Sequence, residues 1–177
     1  MINLNEEKIV YYYTKTIMLS ELKLEILTAV SWKGLFQLSI GEDKVELLEE
    51  RVKRYFPFCS VEKSEKLNSG VMKQIEEFLA GERKVFDIIL HMEGTEFQKK
   101  VWQELLNIPY GEVCSYSDIA KRINCPKGQR AVGMANNRNP VAIIVPCHRV
   151  IGKNGDLVGY DGGLNLKKRL LELENRD

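Results

Sequence analysis

S-Y-S-D-I-A-K-R-I-N-C-P-K-G-Q-R-A-V-G-M-A-N-N-R-N, residues 115–139, holds two short helical patterns joined by a tight turn. Ser115 and Asp118 have capping-box spacing, each side chain closing the other's end of a helix start, and Ile119, Ala120 and Ile123 follow. Asn124-Cys125-Pro126 ends that helix, and Pro126 suits the first turn of the next, which is expected to run to about Asn137. With Lys127, Arg130 and Arg138 on the second helix, the pair makes a helix-turn-helix pattern. Gly128, Ala131, Gly133 and Ala135 keep this helix thin. Small residues suit close packing on another helix or entry into a narrow groove, and the residues alone leave both open.

Downstream, after Asn139-Pro140, the apolar run 141–145 reads as a buried strand ending in Pro146-Cys147-His148-Arg149-Val150. A thiol is a weak nucleophile until deprotonated, and a neighbouring imidazole and the charge of Arg149 favour the thiolate. Adjacent residues of an extended chain point to opposite sides, so direct contact between Cys147 and His148 requires a bend or a bridging water. By itself the dipeptide equally suits a buried cysteine beside a structural histidine. A base histidine is usually oriented by a carboxylate. In the terminal helix expected over 164–174, Leu166, Leu170 and Leu173 mark the buried face and Glu174, four past Leu170, flanks it. The glycine-rich segment 158–163 between them lacks the phosphate-loop pattern and reads as a flexible wall over Cys147, with Tyr160 available to stack on a flat ligand.

Upstream, Thr95 and Gln98 form another capping box, opening a helix with Phe97, Val101, Leu105 and Ile108 buried, which Pro109-Tyr110-Gly111 ends. In the first half, period-2 segments at 9–18, 22–29 and 35–40 read as an antiparallel meander. Helices are expected over 42–55 and 69–80, a loop over 57–68 and a short strand over 85–90. The fold class is α/β in two parts, an N-terminal sheet-and-helix domain (1–90) and a mainly helical domain (91–177).

The 177 residues carry 26 basic and 25 acidic side chains, a net charge of +1 that argues against nucleic acid as an average. The average hides a segment: residues 119–155 hold Lys121, Arg122, Lys127, Arg130, Arg138, Arg149 and Lys153 and no acid. That is either a solvated face or a nucleic-acid face. With 44% apolar and 29% charged residues the chain is a globular protein, not a disordered, collagenous or coiled-coil one. No apolar run reaches the roughly 20 residues of a membrane helix. The N-terminal residues show no secretory or transit pattern, so a cytoplasmic protein, or a nuclear one in a eukaryote, is expected. Four cysteines without C-x-x-C spacing are expected as free thiols, and a zinc site built from Cys59 and His91 is not expected.

Taken together the motifs G-T-x-F-Q-x-x-V-W (94–102), I-P-Y-G (108–111), S-Y (115–116), R-A-V-G (130–133), N-P (139–140), I-V-P-C-H-R-V (144–150) and G-Y-x-G-G (159–163) resemble the O6-alkylguanine-DNA alkyltransferases, or methylated-DNA–protein-cysteine methyltransferases. The resemblance runs from about Gly94 through Glu174; the first half is compatible only in length and pattern with the family's ribonuclease-H-like domain. It implies a single-use, monomeric DNA-repair protein without cofactor, acting on double-stranded DNA containing O6-alkylguanine, and possessing no obligate protein or membrane partner. The thin helix, through Ala131, Gly133 and Ala135 with Lys127 beside them, would enter the minor groove while the damaged base is flipped out. By motif position Cys147 is the alkyl acceptor, His148 its water-mediated base and Glu174 the orienting acid. Arg130 fills the stack, and Tyr116 crowds the phosphate and donates to guanine N3. Asn139 is the hinge, Tyr160 stacks on the base, and the carbonyls of Cys147 and Val150 accept from the guanine amino group. Asp161 stands where a small residue facing guanine O6 is more common, Arg169 replaces a common aromatic, and Gly128 and Gln129 stand where alanine is frequent. Some relatives bind zinc through N-terminal cysteines; this sequence has none before Cys59, and no metal is expected.

Overall fold

The computed structural model describes residues 8–42 and 44–175; the N-terminal reading of residues 1–7 lies outside them. The meander is as expected: β1 (Ile9–Leu19), β2 (Leu22–Ser31) and β3 (Gly34–Ile40) pair antiparallel through two-residue turns at Ser20-Glu21 and Trp32-Lys33. Alternation along β2 sends Leu24 and Ile26 to one face and Leu27 and Ala29 to the other, and both faces are covered. α1 (Lys44–Tyr55) seals the second face with Leu48 and Val52, starting two residues after the expected Glu42. The expected loop over 57–68 is corrected. It contains β4 (Ser60–Lys63), parallel to β1, and the start of α2 (Glu65–Leu79), whose N-cap Ser64 accepts from Leu67 N. The sheet order is therefore β3-β2-β1-β4.

The expected strand over 85–90 is also absent. A single bridge, Leu35 to Leu90, replaces it, with Val85 and Ile89 pointing outward. Gly34 permits that approach: at φ 131° a Cβ there would sit 2.3 Å from the Ile89 carbonyl oxygen. The β3 edge is covered twice, by the Leu35 hydrogen bonds to Ile89 O and His91 N and by the Leu38 bonds to Pro140 O and Ala142 N.

In the second half both capping boxes form, Thr95 with Gln98 on α3 (Glu96–Leu105) and Ser115 with Asp118 on α4 (Tyr116–Arg122). α5 (Gln129–Asn137) begins after Gly128, so Pro126 lies in the preceding turn and not in the helix. β5 (Cys114–Ser115) pairs parallel with β6 (Val150–Ile151), tying the start of α4 to the residues after Cys147. α6 (Gly163–Glu174) closes the fold. The run 141–145, expected as a strand, is a chain of turns: Ile143 has φ 68°, and Val145 N bonds back to Val141 O. It is apolar because it is enclosed, not because it is extended. One apolar cluster runs from Leu19 on β1 to Leu173 on α6, so both halves share a core. Among the described residues no helix is long and apolar enough to cross a membrane.

Candidate active site

Pro146 turns the chain from this enclosed run into a single 3-10 turn, Cys147–Arg149, all three residues of which are buried. Neighbours on a 3-10 turn project about 120° apart, so Cys147 and His148 face different sides. Cys147, 5% exposed, faces a cavity; His148, fully buried, faces α6.

There His148 Nε2 meets Glu174 Oε1 at 2.8 Å. Arg149 grips the same carboxylate, Nη2 to Oε1 at 2.9 Å and Nε to Oε2 at 2.9 Å, and Gly111 N donates to Oε2 at 3.2 Å. Arg149 Nη1 donates to Ile108 O at 2.7 Å. Burial alone pushes the Glu174 carboxyl up, but the hydrogen bonds from His148 and Arg149 outweigh it and bring it down to about 2. Since Arg149 supplies the counter-charge, the imidazole need not, and burial lowers its pKa. A neutral ring donating Nε2–H to a carboxylate leaves Nδ1 as the basic atom, and Nδ1 is buried without a protein partner among the described residues.

The cavity before Cys147 measures about 30 Å³, and its walls come from both halves: Leu38, Ser39 and Ile40 on one side, Asn139, Ala142 and Tyr160 on the other. Burial pushes the Cys147 thiol up to about 11, against the hydrogen bond with Asn139 and the charge of Lys167. Asn139 fixes the preceding turns, its amide donating to Val145 O at 2.7 Å and its carbonyl accepting from Val141 N at 3.0 Å. Asn136 donates to Cys147 O at 3.4 Å. The Tyr160 hydroxyl is buried with no hydrogen-bond partner among the described residues. Tyr116 OH donates to Val158 O at 3.2 Å, holding the glycine-rich loop over the cavity.

Lys167 was not anticipated. Its ammonium is buried between Val150 O (2.6 Å) and Val158 O (2.8 Å), 6.0 Å from the Tyr116 ring centre, and burial brings its pKa down to about 8. The carbonyl of Val150, expected as an acceptor for the guanine amino group, already accepts from Lys167. The signal was present: Lys167, Leu170 and Glu174 follow i, i+3, i+7 and share the buried face of α6. Arg149, expected only to favour a thiolate, instead serves Glu174.

On the outer surface α5 exposes Lys127 before it and Arg130, Ala131 and Met134 along it, with Gly133 half-buried. Ala135 departs from expectation. It is 3% exposed and packs inward, its carbonyl accepting from Trp102 Nε1 at 2.8 Å. Gly128 is small for an internal reason as well, since a Cβ there would lie 2.5 Å from Cys125 Sγ. All four cysteines are free thiols. Among the described residues no group of three His, Cys, Asp or Glu side chains could hold a metal.

Fold and site together define a mixed α/β protein that carries a buried free thiol facing a cavity and an exposed, thin helix. Residues 96–176 match the family described as 6-O-methylguanine DNA methyltransferase, DNA binding domain. The methylated-DNA–protein-cysteine methyltransferase of Methanosarcina acetivorans is 63% identical over 102 residues, which span 58% of this chain but only 65% of that relative. The Methanosarcina barkeri protein of the same name is 43% identical over 154 residues, 86% of this chain and 91% of its own. A crystal structure of Mycobacterium tuberculosis OGT in complex with DNA superposes with a TM-score of 0.76 at 40% identity, covering 93% of this chain and 92% of that one. The chain belongs to the methylated-DNA–protein-cysteine methyltransferase family.

Proposed function

We propose that this protein repairs double-stranded DNA by moving the alkyl group of O6-alkylguanine irreversibly onto Cys147, one chain per lesion and as a monomer. The observation that carries the reading is the buried Cys147 facing a cavity while its neighbour His148, oriented by Glu174, keeps Nδ1 as a free base. α4 and α5 act as a helix-turn-helix whose thin outer face, Lys127, Ala131 and Gly133, enters the minor groove; inward-facing Ala135 supports that helix from beneath. Arg130, exposed at its first turn, takes the stacking place of the flipped base, since a guanidinium is flat. The order β3-β2-β1-β4 with β4 parallel supports a ribonuclease-H-like first half. The division at 90/91 separates a supporting part from a DNA-facing part.

A cavity of about 30 Å³ holds one or two water molecules, so a purine enters only as the Tyr160 loop swings out, after which Tyr160 stacks on it. Asn139 holds the turn that lets the segment move as a unit. The thiol proton passes to His148 Nδ1 through a bridging water. The Cys147 Sγ–carbon bond then forms as the carbon–O6 bond breaks in line, its electron pair leaving with guanine. Guanine takes a proton at N3 from Tyr116, and the nearby Lys167 ammonium steadies the phenolate until imidazolium and phenolate neutralise through solvent. The Cys147 carbonyl accepts from the guanine amino group; Val150 O does so once Lys167 turns away. A thioether does not hydrolyse, so each chain reacts once.

Intact-mass measurement after incubation with duplex DNA containing O6-methylguanine tests this. One added methyl is expected, abolished by Cys147→Ala. Repeated turnover, or an unmodified protein that still binds the lesion, overturns it.

A further inference from the structure

We propose that Lys44, from the N-terminal half, is a positioning residue for the active site: it holds the Asp161 carboxylate away from the reacting atoms and cancels its charge. The inference rests on the alkyl-transfer reading above. Lys44 Nζ lies 3.3 Å from Asp161 Oδ2, joining α1 to the loop that walls the cavity. The Lys44 side chain is 16% exposed against 66% for Asp161, so the lysine is the anchored partner.

Two features say that the lysine is there for this pair. It is the first residue of α1, where the helix dipole disfavours a cation, so the helix itself gains nothing from it. Gly41, at φ 123°, leaves room for its stem: a Cβ there would come within 3.2 Å of Lys44 Cε. The pair also stands on a partition. Ile40, Asp161 and Gly162 line the cavity before Cys147 on one side and a groove of about 410 Å³ on the other, with Lys44 lining only the groove. Lys44 thus draws the carboxylate to the groove side.

Asp161 needs such a partner because of what it faces. Besides the Asn139 hydrogen bond and the His148 imidazole, the groups that bear on Cys147 are the Lys167 ammonium, the Tyr116 and Tyr160 hydroxyls and Asp161 itself, whose charge opposes thiolate formation. The departing guanine is a second anion in the same space. Released from Lys44, Asp161 would oppose both.

Single-turnover reaction of the full chain with free O6-benzylguanine, which needs no DNA binding, tests the idea. Lys44→Met is expected to slow the reaction about tenfold, between what bulk water and a protein surface give for two like charges in one cavity. Lys44→Arg is expected to stay within about twofold of wild type, since it keeps the charge. In an Asp161→Asn background Lys44→Met is expected to change the rate by less than about twofold, an outcome that a merely structural lysine does not produce. An unchanged rate in Lys44→Met, or the same loss in both backgrounds, overturns the proposal. The pH profile of Cys147 modification by iodoacetamide, read by peptide mapping, gives a second readout. It is expected to shift upward in Lys44→Met and not in the double variant. A wild-type chain inert to O6-benzylguanine and to alkylated DNA defeats the alkyl-transfer reading, whereas a reactive wild type with an indifferent Lys44 defeats only this one.

Discussion

Glu174→Gln replaces one oxygen at the centre of the buried network by an amide nitrogen, with almost no change of volume. Oε1 accepts from His148 Nε2 and Arg149 Nη2, and Oε2 from Arg149 Nε and Gly111 N. Whichever way the amide turns, one pair of these donors meets an NH2 group. Arg149, its side chain 8% exposed, stays buried without its counter-ion. Breaking a buried pair from one side costs about 3–5 kcal/mol, which in a chain of this size lowers the melting temperature on the order of 10 °C. The pH dependence fixes the sign. The Glu174 carboxyl is depressed from 4.5 to about 2. Its stabilisation is therefore full above the unfolded value and is lost as pH falls from about 4.5 towards 2. The stability gap between wild type and variant is expected at full size near neutrality and to narrow through that window. Urea unfolding monitored by circular dichroism from about pH 7 to about pH 3 measures it. A gap below about 1 kcal/mol at neutral pH, or one that acid leaves unchanged, would refute the reasoning.

Three further outcomes are expected under the proposed function. Arg130→Ala should impair reaction with alkylated duplex DNA far more than reaction with the free modified base, because its work is base extrusion; equal losses contradict that role. Since burial lowers the His148 pKa, the single-turnover rate should persist below pH 6.5, the ordinary histidine value, and fall only where the buried ring protonates; a half-point at or above that value contradicts a neutral, Arg149-relieved imidazole. Binding to undamaged duplex should weaken with salt, with a logarithmic slope of about −0.9 per phosphate neutralised, and Lys127→Ala should reduce that slope by about one such contact; salt-independent binding removes the basic stretch from the interface.

Legibility in the sequence followed the range of the interaction. Local devices read well: Thr95 with Gln98 and Ser115 with Asp118 set two helix starts as their spacing said. β4 was hidden because Ser60–Lys63 is four residues long and its partner β1 lies some fifty residues earlier, so neither periodicity nor a hairpin turn announces it. Residues 141–145 misled for the opposite reason. A short apolar run reads as strand wherever it is enclosed, and only the left-handed Ile143 reveals the turns. At the site, Glu174 is legible from its spacing to Leu170, whereas Lys167 on the same face is not, because a lysine ordinarily belongs to water. The thin helix was half legible. Composition found its small residues, but only packing separated Ala131, which faces out, from Ala135, which faces in.

β3 is the edge strand of the sheet, and the backbone groups of Leu38 are occupied by Pro140 O and Ala142 N, from the segment that leads to Cys147. Were that segment to pull away, the strand would present Leu38 with its amide and carbonyl unpaired, an opening for another chain to pair there. The turns before the cysteine therefore also act as a guard against self-association. Variants that loosen them should be lost to clumping during expression before any deficit in chemistry can be recorded, and soluble yield is the quantity in which damage to this seam first appears.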